Sequence, residues 1–279
     1  MKTYSHLISQ ALTEDIGGGD HTSLSCIPSD AQGKAKLLVK QDGILAGLEV
    51  AKEVFRQVDN TMVIEELISD GEAINVGDIV FYVEGKSQSI LQAERLALNF
   101  MQRMSGIATH TKFLRELIGA CNTQLLDTRK TTPNNRIFEK MAVKIGGGVN
   151  HRFGLYDMVM IKDNHIDYAG GIEQAIRKTR DYLQQKGLDI KIEIEARDLI
   201  EVKTILAAEK VDRIMLDNFS YANLREAVAL IGDYAETEAS GGITEKTIGE
   251  YARCGVDFIS VGALTHQIKS LDLSLKAID

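Results

Sequence analysis

From about Gln124 onward, short apolar runs alternate with helix-length amphipathic segments, the βα rhythm of a parallel sheet or barrel. Strands are expected at 124–128, 156–161, 190–195, 213–216, 235–239 and 258–261, separated by helices that include 172–185, 199–209, 221–231 and 245–253. The first half lacks this rhythm. Its strand-like runs, at 35–40, 62–68 and 79–83, are punctuated by Gly33, Gly43, Gly47, Gly71, Gly77 and Gly85, which suggests a small α+β domain. A helix-like stretch over 87–118, carrying Leu91, Leu96, Leu98, Phe100, Met101 and Met104, joins the halves and is expected to break near Gly106.

Each strand of the second half ends in residues that can do chemistry: Asp127-Thr128-Arg129-Lys130, Lys162-Asp163-Asn164, Glu195, Asp217-Asn218, Ser240-Gly241-Gly242 and Gly262. In a (β/α) barrel the carboxyl ends of all strands open on one rim, so residues far apart in sequence converge on one pocket.

Composition sharpens this reading mostly by exclusion. A chain of 279 residues with 44% apolar content can bury one large core or two ordinary ones. Glu14 and Asp15 arrive before any apolar run of signal-peptide length, and no stretch approaches the length of a membrane span, so a cytoplasmic location is expected. The three cysteines, Cys26, Cys121 and Cys254, lie far apart without the close pairs of zinc or redox motifs. With 32 Lys plus Arg against 40 Asp plus Glu, the net charge of -8 repels nucleic acid and anionic lipid. Any anionic ligand must therefore meet a local basic pocket.

Such a pocket is available at the predicted rim, where Arg129 and Lys130, His151 and Arg152, and Lys162 gather. An arginine fork binds carboxylate or phosphate through two hydrogen bonds, and lysine acts as a point charge. Taken singly, an arginine at a strand end is more often solvated or ion-paired than functional; the shared rim reverses those odds. Glu195 and Asp217 end adjacent strands and could hold Mg²⁺, receive ribose hydroxyls, stabilise positive charge on a sugar ring, or merely neutralise the neighbouring cations. Ser240-Gly241-Gly242 and Val261-Gly262-Ala263 place small residues between strand and helix, leaving backbone amides free for a phosphate. The glycine runs at 146–148 and 17–19 are weaker signals and read first as flexible loops. Of the histidines only His151 is favoured as a ligand contact; His165 and His266 are equally explained as structural, His6, His21 and His110 meet no converging chemistry, and no zinc spacing occurs. Two other classes stay open on residues alone: a lyase using Lys162 as a Schiff base, and a binding module for phosphorylated sugars. The second leaves Glu195, Asp217 and the basic cluster unexplained.

Taken together, the motifs resemble the quinolinate phosphoribosyltransferase family over essentially the whole chain. The matching stretches run from Glu14 to Thr22, Glu94 to Asn99, Ser105 to Thr109, Asp127 to Pro133, Gly146 to Arg152, Ile161 to His165, Leu216 to Phe219, Ser240 to Ile243 and Val261 to His266. The resemblance implies an α/β protein: an N-terminal open-faced α/β sandwich domain over 1–110, joined by 267–279, and an incomplete, TIM-like α/β barrel over 111–266. It implies transfer of the phosphoribosyl group of phosphoribosyl pyrophosphate to quinolinate with decarboxylation, using Mg²⁺ and no organic cofactor. A homodimer, or a larger assembly built on it, would let one subunit's N-terminal domain complete its partner's barrel. Carried over residue by residue, Arg129, His151, Arg152 and Lys162 bind the diacid, with Arg95 arriving from the other subunit and Thr128 and Lys130 facing substrate. Lys130, Lys162, Glu195 and Asp217 are the expected catalytic groups. Glu195 and Asp217 also stand near ribose and Mg²⁺, in part indirectly, while Ser240, Gly241, Gly242, Val261, Gly262 and Ala263 hold the 5-phosphate. A molybdenum-transport relative and a nicotinate-specific transferase are the neighbouring alternatives, and the density of carboxylate-binding cations favours the diacid. The chain departs from the family pattern at Asn134-Asn135, where glycine and leucine are common; asparagine tolerates left-handed backbone, and Arg136 is retained.

Overall fold

In the computed structural model, which describes residues 4–278, the early strands form an antiparallel sheet rather than continuing the βα rhythm. Its strands are β1 (Gln32–Val39), β3 (Val63–Glu66), β5 (Ile79–Lys86) and β12 (Leu273–Ile278), in the order β12-β1-β5-β3; β2 (Gly43–Ile44) and β4 (Ala73–Ile74) pair separately. Along β1 the buried positions Ala35, Leu37 and Val39 alternate with more exposed ones, so one face turns to the core. Helix Leu48–Val58 lays Leu48, Val50, Ala51, Val54 and Phe55 into that core, with Phe55 edge-on to Phe81 at 6.0 Å.

Two sequence expectations change here. Helix Ser87–Ile118 runs unbroken through Gly106. A Cβ at that position would stand 2.2 Å from the Lys269 carbonyl oxygen, so this glycine admits a close backbone approach and does not bend the helix. The segment Thr131–Gly147, expected in the barrel, groups with the first unit, which comprises the described parts of Met1–Lys112, Thr131–Gly147 and Leu264–Asp279. The cause is helix Arg136–Ile145, whose Phe138 packs on Tyr4 at 5.4 Å and on Phe100 at 4.6 Å between ring centroids.

The second unit, Phe113–Lys130 and Gly148–Ala263, holds a six-stranded parallel sheet. Its strands are β6 (Gln124–Leu126), β7 (Val159–Ile161), β8 (Ile192–Ala196), β9 (Arg213–Asp217), β10 (Glu236–Ser240) and β11 (Phe258–Ser260). The order β6-β11-β10-β9-β8-β7 sets the first strand of the unit against the last, the arrangement of a barrel, with β6 and β7 as its two ends. Strand β7 starts at Val159, later than expected, because Asp157 accepts hydrogen bonds from the Phe153 and Gly154 amides and ties 153–157 into a loop.

Candidate active site

Because the six strands are parallel, their carboxyl ends share one edge of the sheet. That edge gathers Thr128, Arg129 and Lys130 after β6, Lys162 after β7, Glu195 near the end of β8, Asp217 at the end of β9, Ser240 at the end of β10, and Val261, Gly262 and Ala263 after β11. His151 and Arg152 reach it from the loop after Val149, which bridges to Leu126 beside β6. Arg95 lies in the other unit, exposed on helix Ser87–Ile118.

The cations differ in how they are held. Arg152 is half-buried and donates to the Met158 carbonyl at 3.1 Å and weakly to Met160 Sδ at 3.8 Å; its Nε is buried without a hydrogen-bond partner. Burial first, and then the positive charge of Arg129, lower its pKa from the usual arginine value. Two guanidiniums near enough to repel each other form an arrangement that an anion between them would stabilise. Lys162 Nζ donates to Glu195 Oε2 at 3.0 Å, and Glu195 is buried. Lys130 is exposed, its amide donating to Thr128 Oγ1 at 3.0 Å. The His165 ring accepts from the Lys162 amide at 2.9 Å, a structural use for that histidine.

The phosphate-loop expectation acquires a steric reason. Asn218, with a left-handed φ of 55°, donates from its amide to the Ser240 carbonyl and from Nδ2 to Asp217 Oδ2 at 2.7 Å. Gly241, at φ 97°, lies so close that a Cβ would meet Asn218 Oδ1 at 2.2 Å. Asn218 thus couples Asp217 to the Ser240-Gly241-Gly242 turn. Asn134, in the Asn134-Asn135 pair, also takes a left-handed φ of 63°.

Sequence reasoning missed the layer beneath this rim. Side chains alternate along a strand, so Glu193 and Glu195 share one face of the sheet, as do Arg213, Met215 and Asp217 on β9 and Glu236, Glu238 and Ser240 on β10. The register sets Arg213 between Glu193 and Glu236, and Met215 between Glu195 and Glu238. Glu193 and Glu238 are 0% exposed. His151 enters this layer with Nε2 2.8 Å from Glu193 and 3.4 Å from Glu238, while its amide donates to the buried Asp127 at 2.8 Å. Arg213 reaches Glu238 at 3.3 Å and Glu236 at 3.0 Å, its guanidinium 4.0 Å from the Phe258 ring centroid. The available signal was the charged alternation Glu193-Ile194-Glu195, unusual in a parallel strand buried on both faces.

Burial opposes charge on His151, but the two carboxylates at Nε2 outweigh it and lift its pKa to about 9. The Arg152 amide donates to Nδ1 at 2.6 Å, which leaves that nitrogen without a proton and places the ring's proton on Nε2, facing the two carboxylates. Burial, then the neighbouring Glu238, push Glu193 up to about 7. Burial also works against the charge on Glu238, yet His151, the Ser260 hydroxyl and Arg213 hold that carboxyl below its usual range. The ligand atoms of His151, Glu193 and Glu238 lie within 4.8 Å of one another, near enough to surround a metal ion. A 2.8 Å contact between nitrogen and oxygen is ion-pair spacing, however, and Arg213 already neutralises Glu238, so this cluster reads as a charge network.

Comparison with known proteins agrees with the geometry. Family models for the N-terminal and C-terminal domains of quinolinate phosphoribosyl transferase match residues 20–105 and 107–276. The chain is 46% identical over 286 residues to the chloroplastic nicotinate-nucleotide pyrophosphorylase [carboxylating] of Arabidopsis thaliana, covering 97% of this chain and 81% of that protein. It is 40% identical over 269 residues to a probable nicotinate-nucleotide pyrophosphorylase [carboxylating] of Bacillus subtilis, covering 96% and 91%. Among solved structures, NadC from Streptococcus pyogenes superposes with a TM-score of 0.93 at 39% identity, covering 99% of this chain and 97% of that one. The nicotinate-nucleotide pyrophosphorylase of Francisella tularensis gives 0.92 at 41% identity, covering 98% and 95%. With both domains matched in order, and relatives aligned over nearly its full length, the chain belongs to the quinolinate phosphoribosyltransferase family.

Proposed function

We propose that this chain joins quinolinate to the ribose phosphate of phosphoribosyl pyrophosphate and releases pyrophosphate and CO₂, giving nicotinate mononucleotide for NAD synthesis. The observation that carries this reading is the placement of Arg129 and Arg152, two like charges, at the shared carboxyl edge of the parallel sheet, where an anionic substrate relieves their repulsion. A dicarboxylate matches them best, with Lys162 adding a third charge. On this reading His151 acts from beneath the pocket, because its Nε2 is turned toward Glu193 and Glu238.

In the reaction the pyridine nitrogen forms a bond to the anomeric carbon as the bond to pyrophosphate breaks, and the ring nitrogen becomes cationic. The adjacent carboxylate then leaves as CO₂; its bonding electrons remain on the ring carbon, which takes up a proton. Glu195 and Asp217 stand where positive charge develops on the ribose, and Lys162 keeps Glu195 oriented. Ser240, Gly241 and Gly242, with Val261, Gly262 and Ala263, receive the 5-phosphate through backbone amides.

Hard oxygen donors suit Mg²⁺, which binds through one or two carboxylates together with substrate phosphates. Asp217, with one oxygen outside its Asn218 bond, and Glu195 fit that use. Bound there with the pyrophosphate, the ion would neutralise charge on the leaving group. We further propose a cytoplasmic homodimer in which Arg95, exposed on its helix, reaches the partner's pocket. No helix among the described residues is long and apolar enough to cross a membrane.

The test is an assay with Mg²⁺, phosphoribosyl pyrophosphate and either quinolinate or nicotinate, following mononucleotide and CO₂. Release of CO₂ with quinolinate supports the reading. Product from nicotinate alone, or none from either, overturns it.

A further inference from the structure

We propose that Glu193 and Glu238 are positioning residues for the pyridine diacid, acting through His151 to fix the loop that carries Arg152. The proposal rests on the assignment of Arg152 to the diacid and names the groups that aim it.

Arg152 follows His151 directly, and few contacts hold its side chain: one backbone carbonyl and one thioether, both within the stretch that begins with its own loop. The orientation of that guanidinium therefore depends on how firmly residue 151 is held. His151 is pinned at two points. Its amide donates to Asp127, and its ring stands against Glu193 and Glu238, both rigidly placed inside parallel strands. Arg213 and its stack on Phe258 fix Glu238 in turn.

Stability alone does not account for the arrangement. Oε1 of Glu193 and Oε1 of Glu238 are buried without a hydrogen-bond partner, and Glu193 Oε2 meets the His151 ring at 2.8 Å, so the carboxylates hold the ring without completing all of their own bonds. A buried carboxylate oxygen left without a partner costs stability. A site that keeps two such groups beneath its anion pocket keeps them for placement.

The test uses Glu193→Gln and Glu238→Gln in the full-length protein, with quinolinate binding measured by calorimetry without phosphoribosyl pyrophosphate, steady-state kinetics and melting temperature. The expected result is a roughly tenfold weaker Kd and higher KM for quinolinate, with a KM for phosphoribosyl pyrophosphate within about threefold of wild type and a cooperative melting transition that shows the variant folded. In an Arg152→Ala background, Glu193→Gln should add no further loss of quinolinate affinity. Unchanged quinolinate affinity, equal losses for both substrates, or additive losses in the double variant would each overturn the proposal. If Glu193→Gln fails to fold, Glu238→Gln decides. Wild-type protein that binds quinolinate without releasing CO₂ would sink the proposed reaction and leave this proposal testable by binding alone.

Discussion

Glu139 in the first unit and Glu193 in the second are both fully buried, yet they are treated differently. Arg103 donates to Glu139 Oε1 from Nε at 2.9 Å and from Nη2 at 2.6 Å, and the Thr132 amide donates to the other oxygen at 3.2 Å. The same guanidinium bonds Thr132 Oγ1 and the Thr265 carbonyl. Every strong acceptor there is used, and the group closes a fold. Around Glu193 the charges meet but the hydrogen bonds do not close. Satisfied networks specify structure; incompletely satisfied ones mark places where structure has been shaped by another demand.

The comparison can be broken most directly at Arg103. Replacing Arg103 by Leu leaves Glu139 charged and buried, and should lower stability by about 3 to 5 kcal/mol in chemical denaturation. Arg152→Ala comes next. Removing one of the paired guanidiniums should reduce kcat/KM for quinolinate by roughly two to three orders of magnitude, with denaturation little affected. A smaller effect is expected from Gly241→Ala, which forces a side chain against Asn218 at a positive φ: an increase of about tenfold in KM for phosphoribosyl pyrophosphate, with quinolinate binding intact in calorimetry.

The smallest effect concerns pH. His151 has a folded pKa of about 9, above its ordinary 6.5, so its pairing stabilises the protein fully below pH 6.5 and the contribution fades as pH rises through 9. Denaturation midpoints between pH 6 and 10 should show that decline in wild type and a flatter profile in the Glu193→Gln, Glu238→Gln double variant. Identical profiles would remove His151 from the account.

What the sequence revealed followed from position. Arg129, Lys162, Asp217 and Ser240 were legible because each lies at the end of an apolar run, where parallel strands must converge. Glu193, Glu238 and Arg213 were not, because charged residues alternating within a strand resemble the solvent face of a half-exposed one. Only the arrival of His151 from a distant loop shows that they are enclosed. Helix Arg136–Ile145 escaped notice for a related reason: its apolar spacing at Phe138, Ala142 and Ile145 is short, and its packing partners lie at Tyr4 and Phe100.

The pairing of β12 with β1 bears on how the chain matures as it is made. Strand β1 is synthesised early, yet one of its edges is paired by residues 273–278, so that edge of β1 stays open until the last strand arrives. All six strands of the second unit lie before Ala263 and are synthesised sooner. A chain that stalls in between would carry the six strands of the second sheet beside an unpaired edge of β1, and such an edge invites pairing with a neighbouring chain.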